Sequence, residues 1–115
     1  MKITVKEVVK LTDGQLLTSH STSSELVIND GYVSDLLSDV MGNAKENSVW
    51  ITIMNHLNVI AVASLAGLSA IVFSKSIVPD KMVIDKANEE GICLISSSLS
   101  TFELAGRFYN LLTPK

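Results

Sequence analysis

Residues 49–95 contain VWITI (49–53), NVIAVASL (58–65), AIVF (70–73), DKMVIDKANEE (80–90) and ICLI (92–95), and this stretch decides the fold. The first, third and fifth runs are short and apolar at nearly every position. The second and fourth are long enough to be helices, and they stand between the other three. Parallel strands need such crossovers, whereas antiparallel strands can be joined by a two-residue turn. Strands that are apolar on successive residues, rather than on alternate ones, are covered on both faces. The expected fold is α/β: a three-layer α/β/α sandwich with a mainly parallel sheet of about five strands.

The uncharged run Leu57–Ser74 resembles a membrane span in composition only. It falls short of the roughly 20 apolar residues a bilayer needs, and Asn58, Ser64, Gly67 and Ser69 interrupt it. It reads as a buried helix, a glycine turn and a buried strand, so no membrane partner is expected.

Outward toward the N-terminus, Thr4 is placed to cap a helix with Glu7 at the capping-box position and Val5, Val8, Val9 and Leu11 on its apolar face. That helix stops at Asp13-Gly14. Gln15–Ser19 and Glu25–Ile28 read as two short strands on either side of the polar run 19–24. Asn29-Asp30-Gly31 reads as a turn, and Ser34 and Asp35 as caps of a helix carrying Leu36, Leu37, Val40 and Met41 that closes at Gly42-Asn43. Asp35 and Asp39 flank its apolar stripe as a solvated face. At the other end of the chain, a last helix is expected over 101–112.

Composition limits what this fold can do. The chain has 115 residues, of which 47% are hydrophobic and 18% charged, so residues 1–115 make one domain with a real core. A net charge of -3 lacks the basic footprint of a nucleic-acid binder. The lone Cys93 cannot form an internal disulfide, and no basic-apolar leader opens the chain, which together point to the cytoplasm. Cys93, within an apolar strand, reads as an inert buried thiol, and Trp50 as core.

No phosphate-cradling G-x-x-x-x-G-K-[ST] or G-x-G-x-x-G occurs, and no G-x-S-x-G elbow surrounds the serines. Two histidines and one cysteine offer no zinc-ligand spacing, so neither a metal nor a cofactor is expected. Two polar clusters remain. Ser96, Ser97, Ser98 and Ser100 lie in what reads as the loop between the strand ending at Ile95 and the last helix. They would cap that helix, or bind an anion with its free amides. Asn55, His56 and Asn58 follow the strand 49–54. In a parallel sheet both clusters leave the carboxyl edge, where open α/β sheets bind ligands, and they are expected to face one cleft there.

The run Gly31-Tyr32-Val33-Ser34-Asp35-Leu36-Leu37-Ser38-Asp39-Val40-Met41, the strand Trp50-Ile51-Thr52, the segment 58–63 and the closing stretch 97–106 resemble the DRTGG domain family over nearly the whole chain. The family's naming motif is largely replaced, with Asn29-Asp30-Gly31 keeping only its last glycine. The resemblance extends to the N-terminal domain of HPr serine kinase/phosphorylase, and such domains recur in regulatory segments of family II pyrophosphatases and phosphate acetyltransferases. It implies a regulatory α/β/α module that binds a small anionic ligand or a regulatory partner protein. A homodimer is also expected, because a domain that is 47% hydrophobic leaves apolar surface over after its core is filled, and the resemblance points the same way; segment 30–41 is its expected interface, with Tyr32, Leu36, Leu37 and Met41 as anchors. Two alternatives stay open: an enzyme of phosphoryl chemistry acting through Ser97, Ser98 or His56, and an interaction adaptor that takes no ligand.

Overall fold

The computed structural model describes residues 1–114. In chain order the elements are β1 (Lys2–Thr4), α1 (Val5–Thr12), β2 (Gly14–Leu16), β3 (Glu25–Val27), β4 (Asp30–Val33), α2 (Leu37–Asn43), β5 (Ser48–Thr52), α3 (Asn58–Ala66), β6 (Ala70–Phe73), α4 (Lys81–Glu90), β7 (Cys93–Ser97) and α5 (Thr101–Leu112). The main sheet runs β2-β7-β6-β5-β4. Its last four strands are parallel and β2 is antiparallel, so the expected three-layer α/β/α sandwich is the observed one. β1 and β3 form a separate antiparallel pair.

Every residue of β5, β6 and β7 is buried, and the strand pleat sorts their side chains into two cores. Trp50, Ile71, Phe73 and Leu94 meet Val40 of α2, Val59, Ile60 and Ala63 of α3, and Val83 and Ala87 of α4. Val49, Ile51, Ala70, Val72, Cys93 and Ile95 meet Val5 and Val8 of α1 and Leu104 and Phe108 of α5. The three crossover helices thus lie on one face, and α1 and α5 on the other.

Local signals account for several element ends. Thr4 accepts a hydrogen bond from the Glu7 amide while Glu7 reaches back to the Thr4 amide, the capping box expected from the sequence. Gly67 ends α3 in the left-handed region at φ 69, where an added Cβ would also lie 2.9 Å from Cγ of Glu46.

Three expectations are corrected. Asn29-Asp30-Gly31 is not a turn, because Asp30 and Gly31 open the edge strand β4, in register with Ser48 and Val49 of β5. The strong edge of an apolar strand overrode a local turn signal. Ser34 and Asp35 do not cap α2. That helix begins at Leu37 with Leu36 at the cap position and no side-chain cap, while the Ser34 hydroxyl accepts from the Leu36 amide two residues on. Ser96 and Ser97 are not in a loop: β7 continues through both. The strand Lys2–Thr4 had no counterpart in the sequence reading.

β2 approaches β7 closely at Gly14. A Cβ there would lie 2.5 Å from Cγ2 of Ile95 and 2.5 Å from Oγ1 of Thr12, both held in the core. Gly14→Ala is expected to destabilise the fold by about 1–3 kcal/mol through overpacking, read as a lower urea midpoint at unchanged slope.

Candidate functional site

The carboxyl ends of β4, β5, β6 and β7 open on one edge of the sheet, because these strands are parallel. Asn55, His56 and Asn58 follow β5 and are all exposed. Ser98 and Ser100 follow β7 and are exposed as well. β6 and its exit loop, residues 74–80, stand between the two groups, so they share the edge without touching.

That middle loop carries a residue the sequence reading did not single out. Lys75 is exposed, and with Ser76 it adopts positive φ, 58° at each, a backbone form held here by the neighbouring loop. The Lys75 amide donates to the Leu99 carbonyl at 3.1 Å and the Ser76 amide to the Ser97 carbonyl at 2.7 Å. The Ser74 and Thr101 hydroxyls pair at 2.8 Å. Lys75 was legible as the second residue after the apolar run 70–73, a position at the carboxyl edge of any parallel sheet.

The serines divide into two kinds. Ser96 is buried and its hydroxyl donates to the Ile77 carbonyl at 2.7 Å. Ser97 is buried too: its hydroxyl donates to the Thr12 carbonyl at 2.6 Å and accepts from the Leu99 amide at 3.1 Å. These hydroxyls give their protons to main-chain oxygens, so no side-chain base faces them as a nucleophile would require. Ser100 accepts from the Glu103 amide at 3.1 Å, which makes it the N-cap of α5. Its helix start is occupied by its own side chain, with the Glu103 carboxylate in the first turn. Ser98 and Ser96 border a depression of about 260 Å³ with Asp13, Gly14, Gln15, Ser76 and Val78, on the β2 side and away from His56.

The other end of the edge is built by Asp35. Its carboxylate accepts from the Thr52 hydroxyl at 2.7 Å and from the Ile53 amide at 3.0 Å. The Thr52 hydroxyl in turn accepts from the Met54 amide at 3.1 Å. Asp35 therefore fixes the departure of the Asn55–Asn58 loop, a role that spacing alone did not reveal. Tyr32 is half-buried, and its hydroxyl donates to Asp39 at 2.8 Å. Leu37 is half-buried against the α2–α4 core, while Leu36 and Met41 stand exposed.

Among the described residues no group of three or more His, Cys, Asp or Glu is placed to hold a metal ion, and no helix is long and apolar enough to cross a membrane. Burial pushes the Cys93 thiol up to about 11, so it is not a thiolate nucleophile at neutral pH. A second concavity of about 260 Å³ lies between the edge strand β4 and α5, walled by Gly31, Val33, Ile51, Phe108, Tyr109 and Leu112 among others.

The family model described as the DRTGG domain matches residues 7–111. The chain belongs to the DRTGG domain family. Among curated proteins none matches significantly. One similar solved structure is the crystal structure of the CBS and DRTGG domains of the regulatory region of Clostridium perfringens pyrophosphatase, complexed with its activator diadenosine tetraphosphate. It superimposes with a TM-score of 0.69 at 12% sequence identity, covering 90% of this chain and 44% of that one. At that identity the likeness is one of fold, and this DRTGG domain spans less than half of the protein it resembles.

Two outcomes follow from this geometry. Ser97→Ala leaves a buried carbonyl of Thr12 and the Leu99 amide without partners, and is expected to cost about 1–3 kcal/mol by chemical denaturation. The second concerns pH. Hydrogen bonds from Ser34, Tyr32 and Asn43 hold the Asp39 carboxyl below its ordinary value, and the bond to Asp39 pushes Tyr32 up. A carboxyl lowered on folding adds stability that is present above the unfolded value, near 4, and is lost as pH falls through the folded one. The raised tyrosine adds stability present below its ordinary value and lost as pH rises through the folded one. Asp39→Asn is therefore expected to be less stable than wild type at neutral pH and to converge with it under acid, in urea midpoints followed across that range.

Proposed function

We propose that this DRTGG domain is a non-catalytic, cytoplasmic regulatory module. In this reading it binds a small anionic ligand, a nucleotide or phosphorylated metabolite, at the carboxyl edge of its sheet, and works as a homodimer or with a regulatory partner protein. The observation that carries the reading is the fold likeness, over 90% of the chain, to a regulatory region crystallised with a nucleotide activator. The chemistry of the edge supports it. In a chain of net charge -3, Lys75 and His56 stand exposed there beside the amide side chains of Asn55 and Asn58 and the hydroxyls of Ser98 and Ser100. Amide and hydroxyl donors around one cation are the groups that phosphate recognition uses.

In this reading Ser96 and Ser97 are positioning residues that hold the 74–80 loop, and with it Lys75, against β7. A similarity to the N-terminal domain of HPr serine kinase/phosphorylase, expected from the sequence, would be one of domains and would bring no kinase chemistry, since the phosphate-cradling loop belongs to another part of such enzymes. Of the anchors assigned to a dimer interface, Leu36 and Met41 have side chains open to a partner. Tyr32 and Leu37 contribute through the helix they support.

The test is a thermal-shift series with ATP, ADP, diadenosine tetraphosphate and phosphorylated sugars. A ligand at a hundredfold its dissociation constant adds about 2.7 kcal/mol, which for a domain of this size raises Tm by roughly 10–20 °C. The same series on Lys75→Glu and His56→Ala is expected to show a reduced shift at equal basal Tm. No shift with any of these compounds, or a shift untouched by both substitutions, sinks the edge as a ligand site.

A further inference from the structure

The sheet face covered by α1 and α5 has one unfilled place. In the row that crosses it at Gly31, the strands β5, β6 and β7 carry Val49, Ala70 and Cys93, all buried in the α1/α5 core. β4 supplies no side chain there. Gly31 has no backbone reason to be glycine, since it is not among the residues with positive φ. It has no packing reason either: beyond its chain neighbours, an added Cβ would meet only Cγ1 of Val49, at an ordinary 3.7 Å. A glycine weakens the interior of a strand, and one that neither the dihedral nor a close neighbour requires leaves room for another molecule to approach.

That room is the concavity of about 260 Å³ between β4 and α5. Ile51 and Phe108, 1% and 2% exposed, form its base, and Val33 of β4 and Leu112 of α5 belong to its walls. An apolar cavity of about 150 Å³ accepts a benzene ring, so this one has space for a ring or branched chain with a short polar arm. Asp30 is the one charged residue among those that line it. Its Oδ1 accepts from the Gly31 amide at 2.8 Å, which holds the carboxylate beside the gap, and its Oδ2 has no partner among the described residues.

We propose that this cleft binds a small organic ammonium ion, its aromatic or branched apolar body on Ile51 and Phe108 and its amine on Oδ2 of Asp30. Charge selects the class. An anion would lie against the Asp30 carboxylate with no Lys, Arg or His in the lining, and a plain hydrocarbon would cover a half-buried carboxylate oxygen without giving it a donor. An ammonium ion supplies the charge-assisted hydrogen bond. The site is independent of the carboxyl edge, whose residues do not line it and whose proposed ligand has the opposite charge. The other concavities lack an unpartnered charge of this kind. Over α4, Lys81 pairs with Asp85, and Lys86 with Glu89 and Glu90. Beside Ser98, the carboxylate of Asp13 is held by Arg107.

The test is a heteronuclear NMR titration of the whole chain with phenethylamine, tryptamine and isoamylamine, and with phenylacetate as the anion of matching shape. At least one amine is expected to give saturable shifts centred on the amides of Gly31, Val33, Tyr109 and Leu112, with a dissociation constant in the millimolar range or tighter, and phenylacetate none. Gly31→Val fills the gap and is expected to abolish those shifts at a Tm equal to or above that of wild type, because a β-branched residue suits a strand and has space here. Asp30→Asn keeps the shape and is expected to weaken the amine about tenfold or more and to erase its advantage over phenylacetate. Failure of all three amines to saturate, shifts centred elsewhere, equal binding of phenylacetate by wild type, or an Asp30→Asn protein that binds amine as wild type does each overturns the proposal. A Gly31→Val protein of lower Tm overturns its premise, since the fold itself would then require the glycine.

Discussion

Three strands with no residue open to water set the terms for the rest of this molecule. β5, β6 and β7 are buried along their whole length, so each needs apolar cover above and below, and the chain has to supply two helical layers. The crossovers through α2, α3 and α4 all fall on one face, as a consistent crossover hand demands for strands laid down in the order β4, β5, β6, β7. The other face is then left to elements at the chain's ends, α1 and α5. That is why residues separated by some ninety positions, Leu11 and Asp13 on one side and Arg107 on the other, are bonded together.

An unpaired polar group in a fully buried strand is costly, and β7 ends in two serines. Each resolves the conflict by giving its hydroxyl proton to a main-chain carbonyl from a different part of the chain, Ile77 on the β6–α4 loop and Thr12 at the end of α1. The serines thereby tie the strand to its neighbours at the very edge where loops would otherwise be loosest. Asp35 does the same work at the far side, binding the end of β5 to the lead-in of α2. The carboxyl edge is consequently a stiff rim, with Asn55, His56, Asn58, Lys75 and Ser98 left as its side chains facing water.

The layers were legible because double-sided burial writes itself into sequence as consecutive apolar residues, and VWITI, AIVF and ICLI have no other economical reading. Thr4 with Glu7 was legible because a capping box is local. What escaped was non-local. Asp30–Val33 has the composition of a turn followed by a mixed segment, and it is a strand only because β5 offers an edge to pair with. Ser96 and Ser97 look like loop residues until their acceptors, 19 and 85 positions away, are known. The clustering of the site was half legible for the same reason. Parallel topology placed both polar groups on one edge, but the loop that separates them, with Lys75 within it, follows an apolar strand and carries no motif of its own.

α5 is where these constraints meet. It starts at the rim, with Ser100 as its cap and Thr101 bonded to Ser74 of the central loop, and it ends beside the edge strand β4. Its inner face is held in the core by Leu104 and Phe108, so α5 and the sheet pack as one body. Coupling between the rim and the exposed face of α5 would require two arrangements of this helix that differ in affinity, because coupling is set by differential affinity between states. The hydrogen bonds from the 74–80 loop to Leu99 and Ser97, with the Ser74–Thr101 pair, join the rim to the start of this helix, so the two share one set of contacts.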